Sequence, residues 1–175
     1  MSDYLEDFDN ELGQVFAEFS MFLYLVTYDS KNDPMLHNVI MNSQCTCIRT
    51  ISEFFTDKRK DDDDIIYSDF LKKPAKANLV VNLPKEVRVF INKNTAHLSK
   101  KRGKKAVPQE AYIEAKTKIV RSINRFIGEL IDGNIKQEYI QQFEDEKVAK
   151  LKSIVLTQIL NIGIINAEQG EKIDL

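Results

Sequence analysis

The stretch richest in side chains that could do chemistry is RVFINKNTAHLSKKRGKK, at residues 88–105. In this stretch His97 has Lys93 four residues before it and Lys101 four residues after it, so on a helix the three side chains lie one turn apart. Neighbouring cations disfavour the imidazolium form, so a neutral His97 could act as a general base toward a 2′-hydroxyl beside a phosphodiester. The alternative is that His97 lies at the border of the apolar stripe and hydrogen-bonds to another helix.

Arg49 is the second candidate for chemistry. It lies four residues before Glu53 on a predicted helix, a spacing that permits an ordinary ion pair. The functional alternative is that Arg49 reaches across a groove between the second and third predicted helices, toward the face that carries His97. Arg88 lies nine residues before His97, about 180° around the helix axis, and is predicted to face solvent.

The third predicted helix ends in a basic cluster, with Lys101 and Arg102 at its centre. Cations there complement the helix dipole, which explains the cluster as a solvated terminus. The functional alternative is that Lys93, Lys101 and Arg102 contact phosphate groups of a ligand. Asn92 and Asn94 are predicted to be structural polar residues, with Asn94 closing a hydrogen bond between helices.

Metal and cofactor chemistry has little support in the sequence. Cys45 and Cys47 are two residues apart on a predicted helix, so they point about 200° apart, and we expect reduced, buried thiols. The run Asp61–Asp64 lacks the spaced ligands and the glycine of a calcium loop. Gly-rich phosphate loops, nucleophile elbows and HExxH motifs are not found in the sequence, so we predict no metal and no cofactor.

These candidate residues must be positioned by helices, which the apolar spacing predicts along most of the chain. The first is expected over Glu11–Val26 and the second from Pro34, capped by Asp33, to about Phe55. The third runs from Pro84 to about Arg102 before Gly103, and the fourth from Pro108 to Asp132 before Gly133. The spacing after Gly133 predicts one long or two shorter further helices.

Two segments are predicted to lie outside the four main helices. Residues 56–83 combine a charge run with the apolar IIYSDFL, so we predict an ordered loop whose apolar residues pack onto the bundle. The segment LKSIVLTQILNIGII at residues 151–165 has more apolar residues than one stripe needs. That surplus indicates a partner surface, or else a further helix packed within the chain.

Composition places the chain among ordinary globular proteins. It has 175 residues, 43% of them hydrophobic and 30% charged, which suits one folded domain. A net charge of −2 gives no overall attraction to nucleic acid or anionic lipid. The acidic start and the lack of a long uncharged apolar run predict a cytoplasmic protein that does not associate with membranes.

Two stretches also resemble known helical families. CIRTISEFFTD and INKNTAHLSKKR resemble an uncharacterised bacterial helical-bundle family with LHARNLIDFL-like and INKxIAHLTxxR-like helices. The resemblance covers about Glu11 to Asp132. Cys47 and Thr50 depart from the family, which has histidine and asparagine there. The positions that match are Arg49, Phe54, Asn92, Lys93, Ala96, His97, Leu98 and Arg102.

A weaker resemblance is to HEPN domains, helical bundles that often act as metal-independent RNases in toxin and antiphage systems. Those RNases use an arginine a few residues before a histidine. The residue five before His97 in this chain is Asn92, so Arg49 or Lys93 would have to supply the positive charge. The first resemblance implies a helical bundle without a particular activity, and the second implies RNA cleavage.

Together these observations predict an all-α, antiparallel up-down bundle of four main helices over residues 1–133, with a C-terminal helical extension over residues 134–175. We expect a binding or regulatory domain that forms a homodimer or binds a protein partner through the C-terminal helix. The alternative is a HEPN-like RNase or nucleotide-binding protein. In that alternative His97 and Arg49 are catalytic, with Lys93, Lys101 and Arg102 on phosphate.

Overall fold

A computed structural model describes residues 10–28, 33–95 and 108–168 of the chain. The described residues form six α-helices and no β-strand, so the prediction of an all-α protein is confirmed. The antiparallel up-down order of four main helices stays a prediction. The helices are α1 (Glu11–Thr27), α2 (Pro34–Phe54), α3 (Lys85–Thr95), α4 (Gln109–Ile131), α5 (Gln137–Glu144) and α6 (Glu146–Glu168).

Local capping explains where α1 and α2 begin. The Asn10 side chain accepts a hydrogen bond from the Gly13 backbone N–H at 2.6 Å. The Asp33 carboxylate accepts from the N–H groups of Met35 and Leu36 at 2.9 and 3.0 Å, and Pro34 occupies the first turn of α2. These contacts satisfy N–H groups that have no partner inside the helix. The predicted starts of both helices are confirmed.

The later helix boundaries also follow local signals. Gly133 ends α4 with φ of +81°, a left-handed conformation that glycine adopts without steric cost. The chain then forms two helices, because the Asp145 carboxylate accepts from the Lys147 N–H at 2.8 Å and starts α6 as a cap. The part of the third predicted helix beyond Thr95, and Gly103 after it, lie outside the described residues.

The segment between α2 and α3 is ordered by its apolar residues, as predicted. Ile66, Phe70 and Leu71 are buried around a short 3₁₀ turn at Tyr67–Asp69. The Phe70 carbonyl accepts from the Lys136 N–H at 2.9 Å, which ties this loop to the residues that precede α5.

One hydrophobic core joins the helices and this loop. The α1 helix packs on α2, α4, α5 and α6, while α2 packs on α3 and α4. The rings of Phe19, Phe54, Phe70 and Phe126 meet at the centre, with centroids 5.4 to 6.2 Å apart. The α6 helix reaches the same core along one side, through Val148, Leu151, Val155, Ile159 and Ile162.

None of the described helices has both the length and the apolar character needed to cross a membrane.

Candidate ligand-binding groove

The packing of α3 on α2 leaves a groove of about 240 Å³ between these helices and the first part of the loop. Four cations line it, together with two carboxylates and several neutral polar side chains. We call it the cationic groove. It is lined by Arg49, Ser52, Glu53, Thr56, Lys58, Lys60, Asp64, Val81, Asn82, Leu83, Arg88, Ile91 and Asn92.

Arg49 makes the ion pair that its spacing predicts. Its Nε lies 3.4 Å from Glu53 Oε1, and the side chain is 46% exposed. The Lys60 ammonium contacts the same carboxylate oxygen. Arg49 also lines the groove that α3 borders, while its approach to the face that carries His97 stays a prediction. Glu53 therefore contacts two of the four cations of the cationic groove, and its single negative charge offsets one of the four positive charges.

Arg88 is exposed, as predicted, yet it lines the same groove as Arg49. Among the described residues its guanidinium has no ion-pair or hydrogen-bond partner. Asn92, one turn further along α3, is exposed and lines the groove as well. Helical spacing predicts that Arg88 points away from His97, so it was not a candidate site residue. Its four-residue spacing to Asn92 nevertheless indicates a polar face that the two residues share.

The loop supplies the remaining charges of the groove. The Lys58 and Lys60 side chains border it, and both belong to the charge run within residues 56–83. The Asp64 carboxylate accepts hydrogen bonds from the backbone N–H groups of Asp61 and Lys60, which lowers its pKa. Those contacts hold the Asp64 carboxylate against its own loop, where its charge also interacts with that of Lys60.

Most of the predicted catalytic and phosphate-binding side chains lie outside the described part of the structure. His97, Lys101 and Arg102 lie outside the described residues. For Lys93 and Asn94 the structure describes the helical backbone alone. The pairing of His97 with Arg49, and the phosphate contacts of the three basic residues, therefore stay predictions.

A second groove, of about 720 Å³, lies on the α1 side of α2. Five carboxylates border it, and Phe19, Ile51 and Phe54 are among its apolar lining residues. We call it the acidic groove. Burial raises the pKa of Glu18, which lies half-buried in its wall. The carboxylates are those of Glu11, Glu18, Glu53, Asp63 and Asp64.

The two cysteines are free thiols in the core, as predicted. Burial raises the pKa of Cys45 to about 11 and that of Cys47 to about 12. Thiols in this state are poor nucleophiles and poor metal ligands. Among the described residues no three His, Cys, Asp or Glu side chains are grouped to hold a metal ion.

Comparison with known proteins adds no family to this description, because no family model, no curated protein and no solved structure matches the chain.

Proposed function

We propose that this protein is a non-enzymatic binding domain that works as a homodimer, joined through the end of the molecule where α1 meets α2. The observation that carries the proposal is a set of large apolar side chains exposed at that end. We call it the apolar end. It consists of Tyr24, Tyr28, Met35, Leu36 and Val39, with Met35 79% and Val39 55% exposed.

The members of the apolar end belong to one surface region. The end of α1 and the start of α2 are joined in the chain through residues 28–33, and the two helices pack on each other. Gln44 Nε2 donates a hydrogen bond to the Leu25 carbonyl at 2.6 Å, which fixes the two helices side by side. Monomeric proteins rarely expose large apolar patches, so a patch of this kind indicates an interface.

Charge supports a second copy as the partner. The chain is 30% charged, yet residues 19–28 and 34–48 contain no Asp, Glu, Lys or Arg. A two-fold interface places the same patch against itself, where any charge would lie close to its own copy. Between the two stretches the sequence has Asp29, Lys31 and Asp33, and the Asp33 carboxylate is engaged as the cap of α2. A surface with few charges limits that repulsion, whereas a surface for a charged partner would carry complementary charges.

The test is the mass in solution of the full chain, measured by light scattering over a range of concentrations. We expect twice the chain mass for the wild type and the single-chain mass for Val39→Lys. Leu160→Lys is the matched control, because Leu160 is 63% exposed on α6, the helix for which the sequence predicts a partner surface. Loss of the dimer in Leu160→Lys alone would place the interface on α6, and a monomeric wild type would overturn the proposal.

A metal-independent RNase is the second candidate function, and the cationic groove favours it. Arg49 of α2 and Asn92 of α3 both line this groove. In the chain, His97 follows five residues after Asn92. If His97 is the general base, the full chain should cleave mixed RNA in EDTA, and His97→Ala should abolish cleavage while remaining folded by circular dichroism. RNA left intact by the wild type would contradict this candidate and leave the dimer unaffected.

A further inference from the structure

We infer that the cationic groove binds the phosphate groups of a polyphosphorylated ligand, such as a nucleoside di- or triphosphate or inorganic polyphosphate. This inference does not depend on the apolar end, and it requires no cleavage.

The charges that line the groove do not balance. Arg49, Lys58, Lys60 and Arg88 face two carboxylates, those of Glu53 and Asp64. Glu53 contacts two of the cations, and Asp64 is held by backbone N–H groups of its own loop. The side chains that line the groove therefore carry four positive and two negative charges, a net charge of +2 in a protein whose net charge is −2.

Two of the cations in the groove, Arg88 and Lys58, have charged groups without a described partner. Among the described residues, neither the Arg88 guanidinium nor the Lys58 ammonium has a hydrogen-bond or ion-pair partner. A guanidinium presents planar N–H donors that match the oxygens of phosphate, and an ammonium adds a compact charge. Arg88 on α3 and Lys58 on the loop therefore provide donors for an anion from two different elements.

Neutral polar side chains form much of the remaining lining of the groove. Asn82, Asn92, Ser52 and Thr56 line the groove with amide and hydroxyl groups that can donate to phosphate oxygens. None of the described side chains that line the groove is aromatic, so they offer no platform for a stacked base. The volume of about 240 Å³ is below the range typical of pockets that enclose a whole drug-sized ligand, so the groove fits the phosphate part of a ligand.

The first experiment measures binding of inorganic tripolyphosphate to the full chain by calorimetry at low and moderate salt. We expect binding that weakens as salt rises, and Arg88→Gln should weaken it about tenfold, since a charge-assisted hydrogen bond is lost. Arg125→Gln makes the same charge change on α4, outside the groove, and should leave the affinity near that of the wild type. Equal losses in both variants, or no binding by the wild type, would overturn the inference.

A second pair of variants tests for a gain in affinity. Glu53→Gln should tighten binding several-fold, because it releases Arg49 and Lys60 from the carboxylate that they share. Glu114→Gln is its control, since Glu114 pairs with Lys118 at the same four-residue spacing but lies on α4. If the two variants tighten binding equally, the effect is one of net charge and the groove is not the site.

The source of the phosphate is decided by comparing ligands. Tripolyphosphate has no 2′-hydroxyl and no base, so its binding is independent of whether the protein cleaves RNA. ADP and ATP that bind no more tightly than pyrophosphate and tripolyphosphate would identify inorganic phosphate chains as the ligand. Tighter binding of the nucleotides would identify a nucleoside polyphosphate whose base lies outside the groove.

Discussion

At the scale of single residues, burial decides how the ionisable groups of the core behave. The Tyr112 hydroxyl donates to Gln44 Oε1 at 2.8 Å, and desolvation raises the pKa of this tyrosine. Burial likewise keeps the thiols of Cys45 and Cys47 protonated at neutral pH. These groups are therefore structural.

Glu18 is the residue for which we predict a dependence of stability on pH. Burial raises its pKa above the ordinary glutamate value, so the folded state binds the proton more tightly than the unfolded state. The contribution of Glu18 to stability should then be most favourable below its unfolded pKa and be lost as pH rises through the raised pKa. Glu18→Gln should be more stable than the wild type at pH 7, and the difference should vanish below the ordinary pKa range of glutamate.

The measurement is urea unfolding of both proteins at a series of pH values. Glu18 faces the other carboxylates of the acidic groove, so its contribution must be separated from theirs. Glu138→Gln, an exposed change on α5, serves as the control and should follow the wild type at every pH. If Glu18→Gln is less stable than the wild type at pH 7, the carboxylate has a favourable partner and the prediction is wrong.

At the scale of elements, one buried carboxylate holds the loop before α3 against the end of α4. Glu129 is buried, and its two oxygens accept from the Lys76 backbone N–H at 2.6 Å and from Asn134 Nδ2 at 2.7 Å. Asn134 in turn bonds both backbone groups of Lys73, at 3.0 and 3.1 Å. Because the loop leads into α3, this network also fixes one end of the helix that carries Arg88.

Glu129→Gln should therefore destabilise the protein despite its nearly identical shape. Both partners of the carboxylate are donors, and an amide offers one acceptor oxygen, so one of these two part-buried hydrogen bonds must be lost. We expect a loss of about 1–3 kcal/mol in the free energy of unfolding, together with faster hydrogen exchange at the Lys76 amide.

Asp132→Asn is the matched comparison for that variant. Asp132 pairs with the Lys76 ammonium at 2.9 Å, but both side chains are exposed, so its removal should cost under about 1 kcal/mol. If Asp132→Asn costs as much as Glu129→Gln, the buried bonds to Glu129 are not what holds the loop.

At the scale of the whole molecule, a cluster of aromatic rings joins α1, α2, the loop and α4 into one core. Phe126 is fully buried at its centre, with ring centroids of Phe19, Phe54, Phe55 and Phe70 5.4 to 6.2 Å away. Four separate segments of the chain therefore depend on a single side chain, and they should unfold together.

Phe126→Ala should lower the free energy of unfolding by about 3–5 kcal/mol, through lost burial and the cavity left behind. Since small domains have only about 5–15 kcal/mol in total, a large part of the stability would be lost. The measurement is denaturant unfolding followed by circular dichroism. Val89→Ala, at an exposed position of α3, should change stability by less than about 0.5 kcal/mol. Similar losses in the two variants would contradict a core centred on Phe126.

The sequence by itself determined the helices and most of their ends. The apolar spacing located α1, α2 and α4, while Asp33 with Pro34, and Gly133, marked boundaries that the structure has at the same residues. These signals act within one or two turns of helix, where neighbours in sequence are neighbours in space. The sequence did not decide whether one helix or two follow Gly133. The boundary between α5 and α6 depends on one capping residue, Asp145, and the apolar spacing continues on both sides of it.

Only the tertiary structure decided which polar residues share a groove. Arg49 and Arg88 lie far apart in the chain, and they come together because α3 packs on α2 and the loop between them is tied to α4. Helical spacing gives the angle of a side chain around its own axis, not the neighbour that this face meets. Helical spacing therefore predicted only that Arg88 faces solvent. The packing of α3 on α2 is what places it in the same groove as Arg49.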